Sequence, residues 1–142
     1  MSIWFRSYTL EEMTAMSQGS LVDHLGMEFT EFGDDYLIAR MPVDCRTLQP
    51  YGILHGGASV ALAETVGSLA ANLVVDETRF VCVGQEINAN HLRPVPCGWV
   101  IATARPLHLG RRSQVWDIQI CDEKGRKVCV SRLTMAVIDK PT

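Results

Sequence analysis

Apolar positions along the chain repeat in two different ways. Leu37, Ala39, Met41 and Val43 alternate with Tyr36, Ile38 and Arg40, and a period of two predicts a strand with one buried face. With MEFTEF before it and GDD between, the stretch reads as a β-hairpin. From near Gly57 to about Val74 the chain is apolar on almost every side, which predicts a long helix enclosed by the rest of the fold. Three further strands are predicted in RFVCVGQEINANHLRP, GWVIATARPLHL and SQVWDIQICD, and a turn at DEKG leads back into RKVCVSRLTMAVI. Ahead of the hairpin, Thr9 stands three residues before Glu12 in TLEEM, the capping-box spacing, so a short helix runs to about Met16. A second short helix ends at Gly26. CRTLQPYGILHGG, punctuated by Pro50, Gly52, Gly56 and Gly57, is a loop. Hairpin, one long helix, then antiparallel strands: this order predicts an α+β fold in which a single sheet wraps around the helix.

Composition narrows the function. At 142 residues with 47% hydrophobic content, the chain is expected to form one domain, residues 1–142, with a substantial core. A net charge of −3 argues against nucleic acid as a partner. No basic leader precedes an apolar run, and no unbroken apolar stretch reaches membrane-span length, so a cytoplasmic protein with no membrane partner is expected. The five cysteines are scattered and never spaced as C-x-x-C, which predicts reduced thiols. His24, His55, His91 and His108 lack ligand spacing, and no metal site is expected.

One residue conflicts with its surroundings. Glu64 sits in the apolar helix, with no Lys or Arg between Arg46 and Arg79 to pair with it. A buried carboxylate must find partners or take up a proton. The bland alternative is a narrow wet stripe on the helix. Gln49, His55, the Gly56-Gly57 pair and Ser68 nearby favour chemistry instead. A carboxylate attacks or activates water, and free N–H groups at a helix start, backed by the helix dipole, hold charge on a carbonyl oxygen. Ser68, four residues on, shares the helix face of Glu64 and is in a position to bond it. Each companion also has a plain reading: the glycines as close packing, Gln49 as a loop cap, Ser68 as a small filler, His24 as a surface residue. Ser59, in GASVA, imitates a nucleophile elbow but lacks the preceding strand that an elbow needs.

The segments MPVDCRTLQPYGILHGGASVALAETVGS, EINANHLRP and PLHLGRRSQVWDIQICDEKGR, in this order of elements, resemble the hotdog-fold acyl-CoA thioesterases over nearly the whole chain. The likeness extends to two bacterial branches, the 1,4-dihydroxy-2-naphthoyl-CoA hydrolases of menaquinone biosynthesis and the proofreading thioesterases of enterobactin synthesis. It implies a hotdog fold acting as a homodimer or a homotetramer built as a dimer of dimers. It also implies hydrolysis of aryl or hydroxyaryl-CoA thioesters without metal or organic cofactor. Glu64 matches the family's nucleophile or general base, and Gly56 matches the glycine whose N–H polarises the carbonyl, assisted by Gln49 and His55, with Ser68 one turn beyond. Gly84, His91, Leu92, Arg93 and Pro94, and His108, Leu109, Gly110, Arg111, Arg112 and Ser113, match CoA-contacting positions. Arg93 and His91 with LGRRSQ read as a cationic patch for CoA phosphates, or LGRRSQ is a solvated turn.

Spacing adds an independent constraint. Gly56 and Glu64 are separated by roughly 12 Å of helix at about 1.5 Å per residue, which strains a site made by one chain. Two antiparallel copies of the helix bring the start of one beside the middle of the other. The alternatives are editing of misacylated acyl carrier protein, dehydration of hydroxyacyl thioesters, and a non-catalytic acyl-CoA-binding module, against which Glu64 speaks.

Overall fold

The computed structural model describes residues 1–142. Helix α1 spans Leu10–Ser17, and both arms of its capping box are formed: Glu12 N–H donates to Thr9 Oγ1 at 3.2 Å and Thr9 N–H to Glu12 Oε2 at 2.8 Å. A four-residue helix α2, Leu21–His24, is followed by Gly26 at φ +71°. Strands β1 (Glu28–Phe32) and β2 (Leu37–Val43) form the expected hairpin. Helix α3 runs over Gly56–Val74, and β3 (Phe80–His91), β4 (Gly98–Leu109), β5 (Ser113–Asp122) and β6 (Lys127–Asp139) complete the chain.

All six strands join one antiparallel sheet in the order β1-β2-β4-β5-β6-β3. The crossover through α3 therefore carries β3 to the far edge, where it pairs with the last strand and leaves its other side free. Alternation along β5 is complete: Gln114, Trp116, Ile118, Ile120 and Asp122 are buried between half-buried residues. The helix rests on the inner face so formed. Ala39, Ala102 and Ala104 are fully buried small residues beneath it, and Gly67 lets it sit close, since a Cβ there would lie 2.7 Å from Leu133 Cδ2. Close packing of this kind tolerates little added volume.

Enclosure of α3 is half complete. Leu62, Ala63, Val66, Ala70, Ala71 and Leu73 are buried, while Val60, Ala61, Thr65, Ser68 and Leu69 on other sides are only half-buried. One sheet covers one side of a helix, so the full enclosure expected from the apolar pattern is not reached within one chain. By length and composition α3 also suits a membrane span, but half of the relevant stretch is buried on the sheet.

A buried polar network ties the second half of α3 to β3. Asn72 accepts the Cys82 N–H at 2.8 Å and donates to the Cys82 carbonyl at 3.0 Å. Gln114, 1% exposed, accepts the Trp116 indole N–H at 2.9 Å and donates to the Ala71 carbonyl at 3.4 Å. Burial pushes the Cys82 thiol up to about 11. All five cysteines are free.

Candidate active site

The loop before α3 is locked on itself. Thr47 Oγ1 donates to the Pro42 carbonyl at 2.8 Å, His55 N–H to the Thr47 carbonyl at 2.8 Å, and Leu54 N–H to the Val95 carbonyl at 2.8 Å. These bonds fix which atoms of the predicted residues remain available. Gln49 Oε1 accepts the Tyr51 N–H, leaving the amide NH2 as a free donor. His55 caps α3 by accepting the Gly57 N–H on Nδ1 at 2.8 Å, so the neutral ring carries its proton on Nε2. Gly56, first residue of α3, finds no acceptor for its own N–H in the chain, as the first turn of a helix dictates. The Gly56 N–H therefore stays free at the positive end of the helix dipole, and the Gln49 amide and His55 Nε2–H are also left unengaged.

His91 and Gly56 meet. The imidazole lies so near that a Cβ on Gly56 would stand 2.8 Å from Nε2. A cavity of about 340 Å³ opens beside them, lined by Gln49, Ser59, Leu92, Arg93 and Pro94 among others. Ser59 is 1% exposed within the first turns of α3 and follows a loop, not a strand.

Glu64 lies elsewhere. Its carboxylate crosses from α3 to β3 and abuts Gly84, where a Cβ would collide with Oε1. Half-buried, Glu64 has no hydrogen bond or ion pair within the chain. The bond to Ser68 suggested by their spacing is not made, because the carboxylate is directed to the strand, and Ser68 instead offers its carbonyl to Asn72 at 2.9 Å.

The single cationic patch expected from Arg93, His91 and LGRRSQ does not form within one chain. Arg111 and Arg112 line a separate cavity of about 440 Å³ with Arg79, Phe80, Val137, Ile138 and Asp139. Arg112 is held there by its carbonyl, which accepts the Val137 N–H at 2.9 Å opposite Cys82. His91 ends the strand on which Cys82 stands near the start, a separation of roughly 30 Å at about 3.3 Å per residue. The turn from His108 to Ser113 is tight: Gly110 donates to the Ser113 carbonyl at 2.9 Å and has the His108 ring against it.

Arg79 is not among the site residues expected from the sequence. Its signal is one of pairing: Arg6, Arg40, Arg46, Arg105 and Arg126 each hold a carboxylate, whereas Arg79, Arg93, Arg111, Arg112 and Arg132 hold none. Three arginines without an ion pair line this one cavity, a composition that suits a phosphate-bearing ligand.

The profile of the thioesterase superfamily matches residues 51–129. The chain is 57% identical over 136 residues to the proofreading thioesterase EntH of Cronobacter turicensis, covering 96% of this chain and 98% of that protein. It is 54% identical over 136 residues to the 1,4-dihydroxy-2-naphthoyl-CoA hydrolase of Escherichia coli strain K12, covering 96% and 99% respectively. The crystal structure of a mutant thioesterase from Pseudomonas aeruginosa superposes with a TM-score of 0.96 at 50% identity, covering 98% of this chain and 100% of that one.

Proposed function

The chain is a hotdog-fold member of the thioesterase superfamily and a thioester hydrolase, and from that premise we propose that it cleaves aryl and hydroxyaryl acyl-CoA thioesters at sites shared between two chains. The substrate class is that of the relative named a 1,4-dihydroxy-2-naphthoyl-CoA hydrolase. The whole chain, residues 1–142, acts as one domain in the cytoplasm, where its CoA substrate is found.

The observation that carries this reading is the unpartnered carboxylate of Glu64 in an apolar helix, away from the donors at Gly56. The free edge of β3 supports a two-chain site. When two such edges pair antiparallel, the His91 end of one chain approaches the Phe80 end of the other. Gly56, Gln49 and His55 of one chain then face Glu64 of its partner, and Arg93 joins Arg79, Arg111 and Arg112. Pairing of this kind also covers the half-buried side of α3.

In the shared site the thioester carbonyl accepts the Gly56 N–H, with the Gln49 amide and His55 Nε2–H as further donors. Glu64 either attacks the carbonyl carbon, giving an anhydride that water opens, or removes a proton from an attacking water. Both routes consume one water, break the C–S bond, and leave the acid and a thiolate that takes up a proton. Ser68 is one turn away to hold that water. The arginines hold the phosphates at the nucleotide end.

Co-refolding tests the shared site. Inactive Glu64→Ala chains mixed with inactive Gly56→Val chains should regain about a quarter of parental activity, because one site of each mixed dimer collects both defects and the other none. Mixed dimers confirmed by mass that stay as inactive as either parent would rule the arrangement out. A second reading, editing of misacylated carrier protein, is favoured by the likeness to EntH. Thiol release from one aryl group presented on CoA and on carrier protein separates the two by kcat/KM.

A further inference from the structure

The glycines of this chain have different reasons to be glycine. Gly19, Gly26, Gly52, Gly98 and Gly125 adopt positive φ, but Gly84 does not, so its backbone is open to any residue. Like Gly56 and Gly67 it is short of space, and what sets it apart is the group that fills that space. A Cβ there would collide with Oε1 of Glu64 and stand 4.0 Å from Sδ of Met135, its buried cross-strand partner.

The gap has no means of widening. Asn72, about two turns further along α3 than Glu64, grips both backbone groups of Cys82, two residues before Gly84. On its other side β3 is laddered to β6. Immediately after Gly84 the register slips between Gly84 and Glu86, with Gln85 as the extra residue. Such a bulge re-aims the strand. It lets Cys82 and Gly84 face α3 before it, and Ile87 and Ala89 pack on the core after it.

We infer that Gly84 is a positioning residue for Glu64: the absent side chain is the seat in which the carboxylate rests, an inference that builds on the proposed role of Glu64. Any Cβ at this point displaces the carboxylate instead of the backbone. Misplacement of a reacting group by about 1 Å costs on the order of 10²-fold in rate.

The test is a double-mutant cycle of Gly84→Ala and Glu64→Ala, read on an aryl-CoA substrate and a non-hydrolysable thioether analogue of it. Gly84→Ala should lower kcat by about 10²-fold, leave KM and the analogue's Kd within about threefold, and cost nothing further in the Glu64→Ala background. An equal rise in the analogue's Kd with and without Glu64 would overturn the inference, because the glycine would then be making room for substrate. The carboxylate is also read directly, from the δ-13C resonance of Glu64, assigned by its loss in Glu64→Ala. That resonance moves in Gly84→Ala if the seat is real, and an unmoved resonance overturns the inference whatever turnover does. Near-parental turnover of Glu64→Ala with a moved resonance would instead end the catalytic role of Glu64 and leave the seat standing. If Gly84→Ala alone fails to fold, removal of the colliding atom in the double variant restores folding, and failure to restore it counts against the seat.

Discussion

Asn72 and Glu64 are polar residues on the same helix, about two turns apart, and both reach toward β3. Asn72 is saturated: it bonds both backbone groups of Cys82 and the Ser68 carbonyl. Glu64 rests against a glycine and bonds nothing. The amide secures the helix to an edge strand, whereas the carboxylate keeps its lone pairs for something outside the chain. A polar group in an apolar setting is therefore informative only once its partners are counted.

The sharpest way to break this comparison is to remove each group. Glu64→Ala should lower kcat on the order of 10³-fold or more and leave the unfolding midpoint unchanged or higher, since no bond is lost. Thiol release and thermal unfolding measure both, and a folded variant with parental kcat would dissolve the contrast. Asn72→Ala should do the reverse. It strips an edge strand of two backbone partners at a cost of about 1–3 kcal/mol, visible as a lower urea midpoint, with a fall in kcat far smaller than that of Glu64→Ala. A stable Asn72→Ala with collapsed turnover would assign Asn72 to chemistry.

The same contrast separates the arginines. Arg46 is spent on Asp44 at 2.7 Å, while Arg79 makes no ion pair. Arg79→Ala should raise KM for an acyl-CoA roughly two- to fivefold, an effect that shrinks as salt rises. On a truncated thioester without the nucleotide it should match the parent; equal damage on both substrates would point to lost packing. The smallest effect tests the limit of the rule. Tyr8 is 6% exposed and its hydroxyl is buried without a partner, yet it belongs to the N-terminal segment and not to the site. Tyr8→Phe should leave kcat and KM unchanged and shift stability by no more than about 1 kcal/mol in either direction. A marked loss of activity would show that this hydroxyl also serves the reaction.

What the sequence reveals tracks how local the cause is. The Thr9 box, the span of α3 and the strand from Leu37 to Val43 each follow from patterns within a few residues, and the structure has them where expected. Pairing of β3 with β6 joins segments far apart in the chain, and no local pattern encodes it. The slip at Gly84 is hidden likewise, because a bulge appears only against a partner strand. At the site, the order of Gln49, His55, Gly56 and Glu64 was legible along the chain. Which atoms stay free depends on bonds such as that from Tyr51 N–H to Gln49. Arg79 was missed because an unpaired arginine looks like any other until the acids have been placed around it.

The far-edge position of β3 bears on how the chain is made. Synthesis delivers α3 before any of the strands β3 to β6, and β3 gains its only partner within the chain when Lys127–Asp139 emerges. Until then a long apolar helix and an edge strand unpaired on both sides wait together, exposed to whatever else is sticky in the cell. Contacts this distant in sequence also slow folding once synthesis ends. Slower translation and added chaperone should therefore raise the yield of this chain, and a truncation before Lys127 should give aggregates instead of a smaller folded core.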